Sequence, residues 1–149
     1  MSHDDWRSHL LETPAQLDAL LATTRRVAVL GIKPETHASQ AAHYVPAYVK
    51  SAGVEVIPVP VYYPEVTEIL GAKVVRRLED VPGAVDIVDV FRRSEDVPAH
   101  LEALLAMRPR CVWLQSGIRH DETAEALARA GIDVVQDRCL MVEMRRRRG

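Results

Sequence analysis

Short, valine-rich apolar runs recur along this chain, and stretches of helical character separate them. Five such runs occur, at residues 27–30, 54–61, 85–91, 111–114 and 132–135. Their apolar residues are continuous rather than alternating, which is typical of strands that are covered on both faces, as in a parallel sheet. Strands that alternate with helices predict an α/β domain built from βαβ units.

Helical spacing and helix-ending glycines account for most of the intervals between these runs. The predicted helices span residues 14–23, 39–51, 94–107, 121–130 and 140–147. The proline-rich segment 58–81 is predicted to hold a loop, a short helix at 65–70 and a small strand at 73–75. We therefore predict a Rossmann-like, doubly wound domain: a mostly parallel five-stranded sheet in the order 3-2-1-4-5, with helices on both faces.

Length and composition exclude several classes of protein. The 149 residues predict one domain, residues 1–149, because about 100–200 residues per domain is usual. Two cysteines and histidines without HxH or HExxH spacing predict no disulfide framework and no metal site. The chain has no apolar run near the ~20 residues that cross a bilayer, and its N-terminus is polar and acidic. We therefore expect a cytoplasmic protein that does not bind membranes.

The charge balance argues against a nucleic-acid partner. The chain contains 19 Lys and Arg residues and 21 Asp and Glu residues, which gives a formal net charge of −2. The one cationic run, Arg145 to Arg148, is interpreted as the solvated end of a helix, where cations are favourable. One terminal run is not a basic face, so nucleic-acid binding is not expected.

A ligand site is predicted at the carboxyl ends of the strands. In an open parallel sheet the crevice lies where the strand order reverses. With the predicted order this is between the first and fourth strands, with the loops 31–38 and 115–120 beside it. The potential anion contacts at this edge are Lys33, His37, Arg92, Arg93, Arg119 and His120. Acidic residues also occur there, several of them where a helix first turn favours them (Glu35, Glu95, Asp96 and Asp121). The mixture therefore suggests an anionic ligand but does not decide it.

The loop after the first strand has two interpretations. Gly31 ends the strand and Ser39 can start the next helix, an arrangement whose backbone N–H groups suit a phosphate. Alternatively, the turn needs glycine only for close packing. Gly-x-Gly-x-x-Gly is absent, and Glu55 lies at the start of the second strand rather than at its end. Ordinary NAD binding is therefore disfavoured, and the absence of Gly-x-x-x-x-Gly-Lys-Ser/Thr argues against a P-loop nucleotidase.

An ordered set of sequence blocks resembles a known family. The blocks are Val27-Ala28-Val29-Leu30-Gly31, Val56-Ile57-Pro58-Val59, Leu70-Gly71, residues 85–92, Val112-Trp113-Leu114-Gln115-Ser116-Gly117 and Asp137-Arg138-Cys139. In this order they resemble the small stand-alone CoA-binding proteins, which are similar to the CoA-binding domain at the N-terminus of the succinyl-CoA synthetase α subunit. The resemblance covers about residues 15–143, which is also the predicted core of the domain.

The resemblance implies that coenzyme A binds at the strand ends of a Rossmann-like domain. Ten residues would border it: Gly31, Ile32, Lys33, Ser39, Val59, Pro60, Phe91, Arg92, Gln115 and Gly117. Residues 31–33 would approach the diphosphate, with Ser39 at the helix start, and Val59 and Pro60 would border the adenosine. The last four would line the cleft from the third and fourth strands. Lys33 stands where the family commonly has a small hydroxyl residue, and Pro60 replaces a common asparagine.

These observations predict a protein that binds CoA or an acyl-CoA without independent catalysis. The sequence has no recognisable nucleophile–base set. Asp86 and Asp89 lie on opposite faces of one strand, where edge contacts or helix caps are expected; Cys139 is interpreted as a core residue and His100 as a surface residue. Two alternatives stay open: a Rossmann-type oxidoreductase or acyl-CoA-processing enzyme, and an interaction protein with a vestigial nucleotide pocket. A homo-oligomer or a partner enzyme also stays open.

Overall fold

A computed structural model describes residues 5–148. Its strands are β1 (Arg26–Leu30), β2 (Glu55–Val59), β3 (Glu68–Ile69), β4 (Ala72–Lys73), β5 (Ile87–Val90), β6 (Cys111–Leu114) and β7 (Asp133–Val135). Its α-helices are α1 (Pro14–Ala22), α2 (Ala41–Ser51), α3 (Leu101–Met107), α4 (Asp121–Arg129) and α5 (Leu140–Arg148). Single 3₁₀ turns or short 3₁₀ helices occur at Trp6–His9, Glu35–His37, Leu78–Asp80 and Ser94–His100.

The five apolar runs form one parallel sheet, as predicted, with helices on both faces. Successive residues of a strand point to opposite faces, so Val27 and Val29 pack with α1, α2 and α5. Ala28 and Leu30 pack with α3 and α4. This arrangement explains why the strands are apolar throughout: each face of the sheet has its own buried core.

The strand order differs from the predicted one. The sheet runs β2-β1-β5-β6-β7, which is 2-1-3-4-5 over the five parallel strands, whereas 3-2-1-4-5 was expected. The third run, β5, lies between β1 and β6, and all four of its residues are buried. The predicted order put β5 beside β2. In the structure Val75 lies there instead, and its N–H donates to the carbonyl of Pro58 (2.9 Å).

Two local predictions are wrong, and both errors have a backbone cause. The segment predicted as a helix at 65–70 contains β3, which pairs with β4 through a turn at Leu70 and Gly71. Both turn residues have positive φ, 54° and 76°, as a tight hairpin requires. The helix predicted at 94–107 starts as a 3₁₀ segment that contains Pro98, because proline has no N–H to donate. Only α3 is α-helical there.

Two further predictions concern the N-terminus and membrane binding. Residues 1–4, on which the polar N-terminus was noted, lie outside the described residues. Within residues 5–148, none of the helices combines the length and the apolar character that a bilayer crossing demands.

The two aspartates around β5 have different environments. Asp86 makes the edge contact that was predicted, because its Oδ2 accepts from the N–H groups of Arg25 (2.7 Å) and Arg26 (2.9 Å). Asp89 contradicts that prediction. It is fully buried, and among the described residues neither carboxyl oxygen has a hydrogen-bond partner. Burial raises the pKa of Asp89 well above its usual value, so the folded protein holds it protonated.

We expect the stability of Asp89→Asn relative to the wild type to increase as the pH rises. Above the ordinary aspartate pKa of about 3.9, unfolding of the wild type releases the Asp89 proton, so its free energy of unfolding falls with pH until the raised folded pKa is reached. Asparagine has no such proton. Urea unfolding at pH 4, 5.5 and 7 should show a difference between variant and wild type that widens by up to about 1.4 kcal/mol per pH unit. A difference independent of pH would contradict this assignment.

Candidate functional site

The carboxyl ends of β2, β1 and β5 are joined by main-chain hydrogen bonds. The N–H of Gly31 donates to the carbonyl of Val59 (2.9 Å), and that of Phe91 donates to the carbonyl of Leu30 (2.8 Å). Gln115 follows β6, the next strand in the sheet. The predicted site residues at four strand ends therefore form one row along a single edge.

The strand order moves the predicted crevice. The chain passes from β2 across β1 to β5, so the order reverses between the first and third strands rather than between the first and fourth. This is where a sheet with the order 2-1-3-4-5 has its ligand crevice.

Close packing accounts for the glycine at this reversal. Gly31 has φ +86°, and a Cβ there would lie 2.3 Å from the carbonyl oxygen of Phe91. Because the Gly31 N–H is bonded to Val59, that donor already has an acceptor within the fold. Of the two interpretations of the loop, the one based on packing has direct structural support.

The loop after β1 places one cation at the surface. Ile32 is buried in the core on the α2 side, so its side chain lies away from the edge. Lys33 is half-buried, and its Nζ donates to the side-chain carbonyl of Gln40. Ser39 is exposed and precedes α2, which begins at Ala41 instead of at Ser39 as predicted. Lys33 is therefore the cation that this loop offers a ligand, whereas the exposed carboxylate of Glu35 accepts from the N–H of Leu70 (2.7 Å).

The residues predicted after β6 have polar groups that hold the fold together. Gln115 is buried, and its Oε1 accepts from the N–H of Leu140 (2.9 Å), the first residue of α5. Gly117 is exposed, and its N–H donates to Asp137 Oδ1 (2.6 Å). Both contacts tie this loop to the segment before α5.

The residues after β5 connect the edge to the helical segment 94–107. Phe91 is half-buried and packs against the core on the α2 side. The Nε of Arg92 donates to His100 Nε2 (3.3 Å), and its Nη2 lies 3.8 Å from Asp96 Oδ2. Burial, and then the charge of Arg92, lower the pKa of His100. A neutral His100 whose Nε2 accepts from Arg92 carries its proton on Nδ1.

The other four predicted anion contacts already have partners within the fold. Arg93 pairs with Asp96 (3.0 Å), and Arg119 pairs with Asp121 (3.0 Å). His120 caps α4, with Nδ1 accepting from the backbone N–H of Thr123 (3.2 Å). His37 makes a ring contact with Tyr63.

A cleft of about 570 Å³ opens at this edge, within the range of small-molecule sites. We call it the carboxyl-edge cleft. It is lined by the ends of β1 and β2, by residues of the segments 60–64 and 76–79, and by the helical segment 99–103: Leu30, Val59, Pro60, Val61, Tyr62, Pro64, Arg76, Arg77, Leu78, Glu79, Ala99, His100 and Ala103. Of the predicted site residues, Val59 and Pro60 line it, and Arg92 contacts its wall through His100.

Five polar or aromatic residues of this cleft were missing from the predicted site: Tyr62, Arg76, Arg77, Glu79 and His100. His100 was interpreted as a surface residue but is half-buried. The two arginines reach the edge because the β3–β4 hairpin returns the chain to β2, where Val75 bonds to Pro58. The sequence did contain one indication of these arginines, the small strand predicted at 73–75. Pairing this strand with the second strand would have placed Arg76 and Arg77 at this edge.

Together, the doubly wound parallel sheet and the cleft at its carboxyl ends define a nucleotide-binding type of α/β domain. Residues 25–145 match the model of the CoA binding domain family. The match covers most of the chain, and this protein therefore belongs to that family, as the sequence blocks predicted. Coenzyme A is thereby supported in general terms as its ligand class.

The chain is also similar to individual proteins and solved structures. The chain is 34% identical over 128 residues to the uncharacterized protein YneT of Bacillus subtilis (strain 168), covering 86% of this chain and 91% of that protein. The chain is also similar to the solved structure of cell-free ID.343 from Thermus thermophilus, with 45% sequence identity and a TM-score of 0.83. This match covers 91% of this chain and 98% of the other. A dinucleotide-forming acetyl-coenzyme A synthetase 1 of Ca. Korarchaeum cryptofilum, 19% identical with a TM-score of 0.63, shares the fold over 79% of this chain and 26% of its own.

We expect Gly31→Ala to destabilise the protein more than Gly53→Ala. Both glycines have positive φ, +86° and +92°, but a Cβ at Gly53 would meet nothing within 4 Å. The two variants therefore share the backbone strain of about 1–2 kcal/mol, and only Gly31→Ala adds a clash with Phe91. Urea unfolding should show an additional loss of about 1–3 kcal/mol for Gly31→Ala. Equal losses would mean that strand packing does not require this glycine.

Proposed function

We propose that this protein binds coenzyme A or an acyl-CoA at the carboxyl ends of the sheet strands, without independent catalysis. The observation that carries the proposal is the carboxyl-edge cleft, which combines the apolar strand ends Val59 and Pro60 with arginines on its rim. In a chain of the CoA binding domain family, this is the surface that suits an adenosine flanked by phosphates.

The chemistry of the edge fits the two ends of such a ligand. Val59 and Pro60 are buried apolar residues of the cleft lining, and the exposed Val61 and Tyr62 that follow them offer apolar surface against which a purine can pack. Coenzyme A also carries a diphosphate and a separate ribose phosphate, and guanidinium and ammonium groups bind phosphate through charge-assisted hydrogen bonds. Lys33 after β1 and Arg92 after β5 stand on neighbouring strand ends, so a diphosphate that crosses the strand reversal passes between them.

The residues of the cleft support binding rather than chemistry. When bound, the coenzyme itself supplies the thiol or thioester. His100 is hydrogen-bonded to Arg92 through Nε2, and its lowered pKa keeps it neutral. Neither Cys111 nor Cys139 is among the residues that line the cleft, and burial raises the pKa of the Cys111 thiol. The described residues therefore place no thiol nucleophile beside the histidine.

We expect Lys33→Ala and Arg92→Ala each to weaken coenzyme A binding about tenfold, the effect of losing one charged contact to a phosphate. Isothermal titration calorimetry of the purified chain with coenzyme A measures this directly. Arg129→Ala is the matched control, since Arg129 lies at the end of α4 in an exposed pair with Glu125 and outside the cleft. Unchanged affinity in both Lys33→Ala and Arg92→Ala would refute their role.

Native mass spectrometry of freshly purified protein separates the proposal from its alternatives. Bound coenzyme A or acyl-CoA is the expected result. A bound nicotinamide nucleotide would point to an oxidoreductase instead. An empty protein that also shows no heat of binding with coenzyme A would indicate an interaction protein with a vestigial pocket.

A further inference from the structure

Two residues of the carboxyl-edge cleft stand out because the fold presents them to solvent. Tyr62 is the most exposed large hydrophobic residue of the described chain, at 69%, and Arg77 has a side chain that is 67% exposed. Both line the cleft. We propose that this cleft recognises a 3′-phosphoadenosine group, with Tyr62 stacking on the base and Arg77 binding the 3′-phosphate. The inference rests on the proposed function and specifies its ligand.

The loop that carries Tyr62 is held in a strained conformation. Tyr63 has φ +63°, which is uncommon for a bulky residue and costs free energy. The guanidinium of Arg76 stabilises this loop by donating to the carbonyls of Tyr62 (3.3 Å), Tyr63 (3.1 Å), Pro64 (3.4 Å) and Val66. The hydrogen bonds of Arg76 thus hold the loop in a conformation that leaves the ring of Tyr62 exposed at the cleft.

An exposed aromatic ring in such a position suits a nucleobase. Tyr62 makes an edge contact with the ring of Tyr63 (centroids 5.0 Å apart), which restrains it from one side. Stacking on an aromatic side chain is a general way to bind a base, because every base has a π-face. Val61, which is 46% exposed, provides apolar surface in the same cleft, so a purine there has an aromatic and an aliphatic contact.

Arg77 differs from Arg76 in the partners of its guanidinium. Arg76 bonds to main-chain carbonyls, whereas Arg77 pairs with the side chain of Glu79 (2.9 Å) at the surface. An exposed ion pair of this kind contributes little to stability, so a phosphate can replace Glu79 as the partner of Arg77 at small cost. The guanidinium fork matches the geometry of a phosphate.

The geometry of the ligand assigns the 3′-phosphate to this arginine. In the proposed pose the adenosine lies against Val61 and Tyr62, and the 5′-diphosphate runs toward the end of β1 and Lys33. The 3′-phosphate leaves the ribose at another carbon, and the segment 76–79 forms a different part of the cleft wall. A 3′-phosphate distinguishes coenzyme A from dephospho-CoA, ADP and NAD, so an arginine at this position would select for coenzyme A.

The test is a cycle of two ligands and two proteins. Calorimetry compares coenzyme A with dephospho-CoA on the wild type and on Arg77→Gln, with Arg129→Gln as the exposed control. We expect the wild type to bind dephospho-CoA about tenfold more weakly than coenzyme A, and Arg77→Gln to bind both ligands with the weaker affinity. Equal losses for both ligands in Arg77→Gln, or no loss for either, would overturn the assignment of the 3′-phosphate.

Tyr62 is tested with the same two ligands. We expect Tyr62→Ala to weaken both by about tenfold, and Tyr62→Phe to retain the affinity because it keeps the ring. Tyr44→Ala, at an exposed tyrosine of α2, is the control. Unchanged affinity in Tyr62→Ala would contradict the stacking.

Failure of this inference differs from failure of the proposed function. A wild type that binds coenzyme A and dephospho-CoA equally well overturns 3′-phosphate recognition and leaves coenzyme A binding intact. A wild type that binds neither ligand overturns the proposed function itself.

Discussion

The close approach of β1 to β5 at the strand reversal governs the arrangement of the whole carboxyl edge. Gly31 lies so near the Phe91 carbonyl that a Cβ has no room, and its N–H simultaneously bonds to Val59 on the other side. Three strand ends are thereby fixed in one row. The apolar strand end at Val59 and Pro60 and the cation at Arg92 keep their relative positions because both are attached to this row.

The fold was readable from the sequence wherever a local pattern determines structure. Continuous apolar runs such as 27–30 identify doubly covered strands, and the five strand-length runs formed the expected parallel sheet. The position of β5 in the strand order could not be predicted from the sequence, because a run that is covered on both faces fits several positions in a sheet. In the structure β5 pairs with β1 and β6, and the main chain at Val75 bonds beside β2 instead. Val75 follows β4 (Ala72–Lys73), a two-residue strand that is too short to give a periodic signal.

The site was predictable to the level of the sheet edge but not of the side chains. Sequence reasoning located the carboxyl ends, and the structure brings Gly31, Val59 and Phe91 together there. It could not show that the Gln115 side chain accepts a hydrogen bond from Leu140 at the start of α5. It also could not show that Arg77, which follows the β3–β4 hairpin, lines the cleft. Such assignments depend on contacts between residues that are distant along the chain, and hydropathy patterns carry no information about them.

The central claim is that coenzyme A occupies the carboxyl-edge cleft, and an amide ¹H–¹⁵N NMR titration with coenzyme A tests it most directly. The account predicts saturable shifts concentrated in the segments 31–33, 59–63, 76–79 and 91–100. A second groove, lined by residues that include Trp6, Leu11 and Gln136, serves as the internal reference and should change little. Shifts concentrated in that groove, or a spectrum that does not change on addition of coenzyme A, would contradict the account.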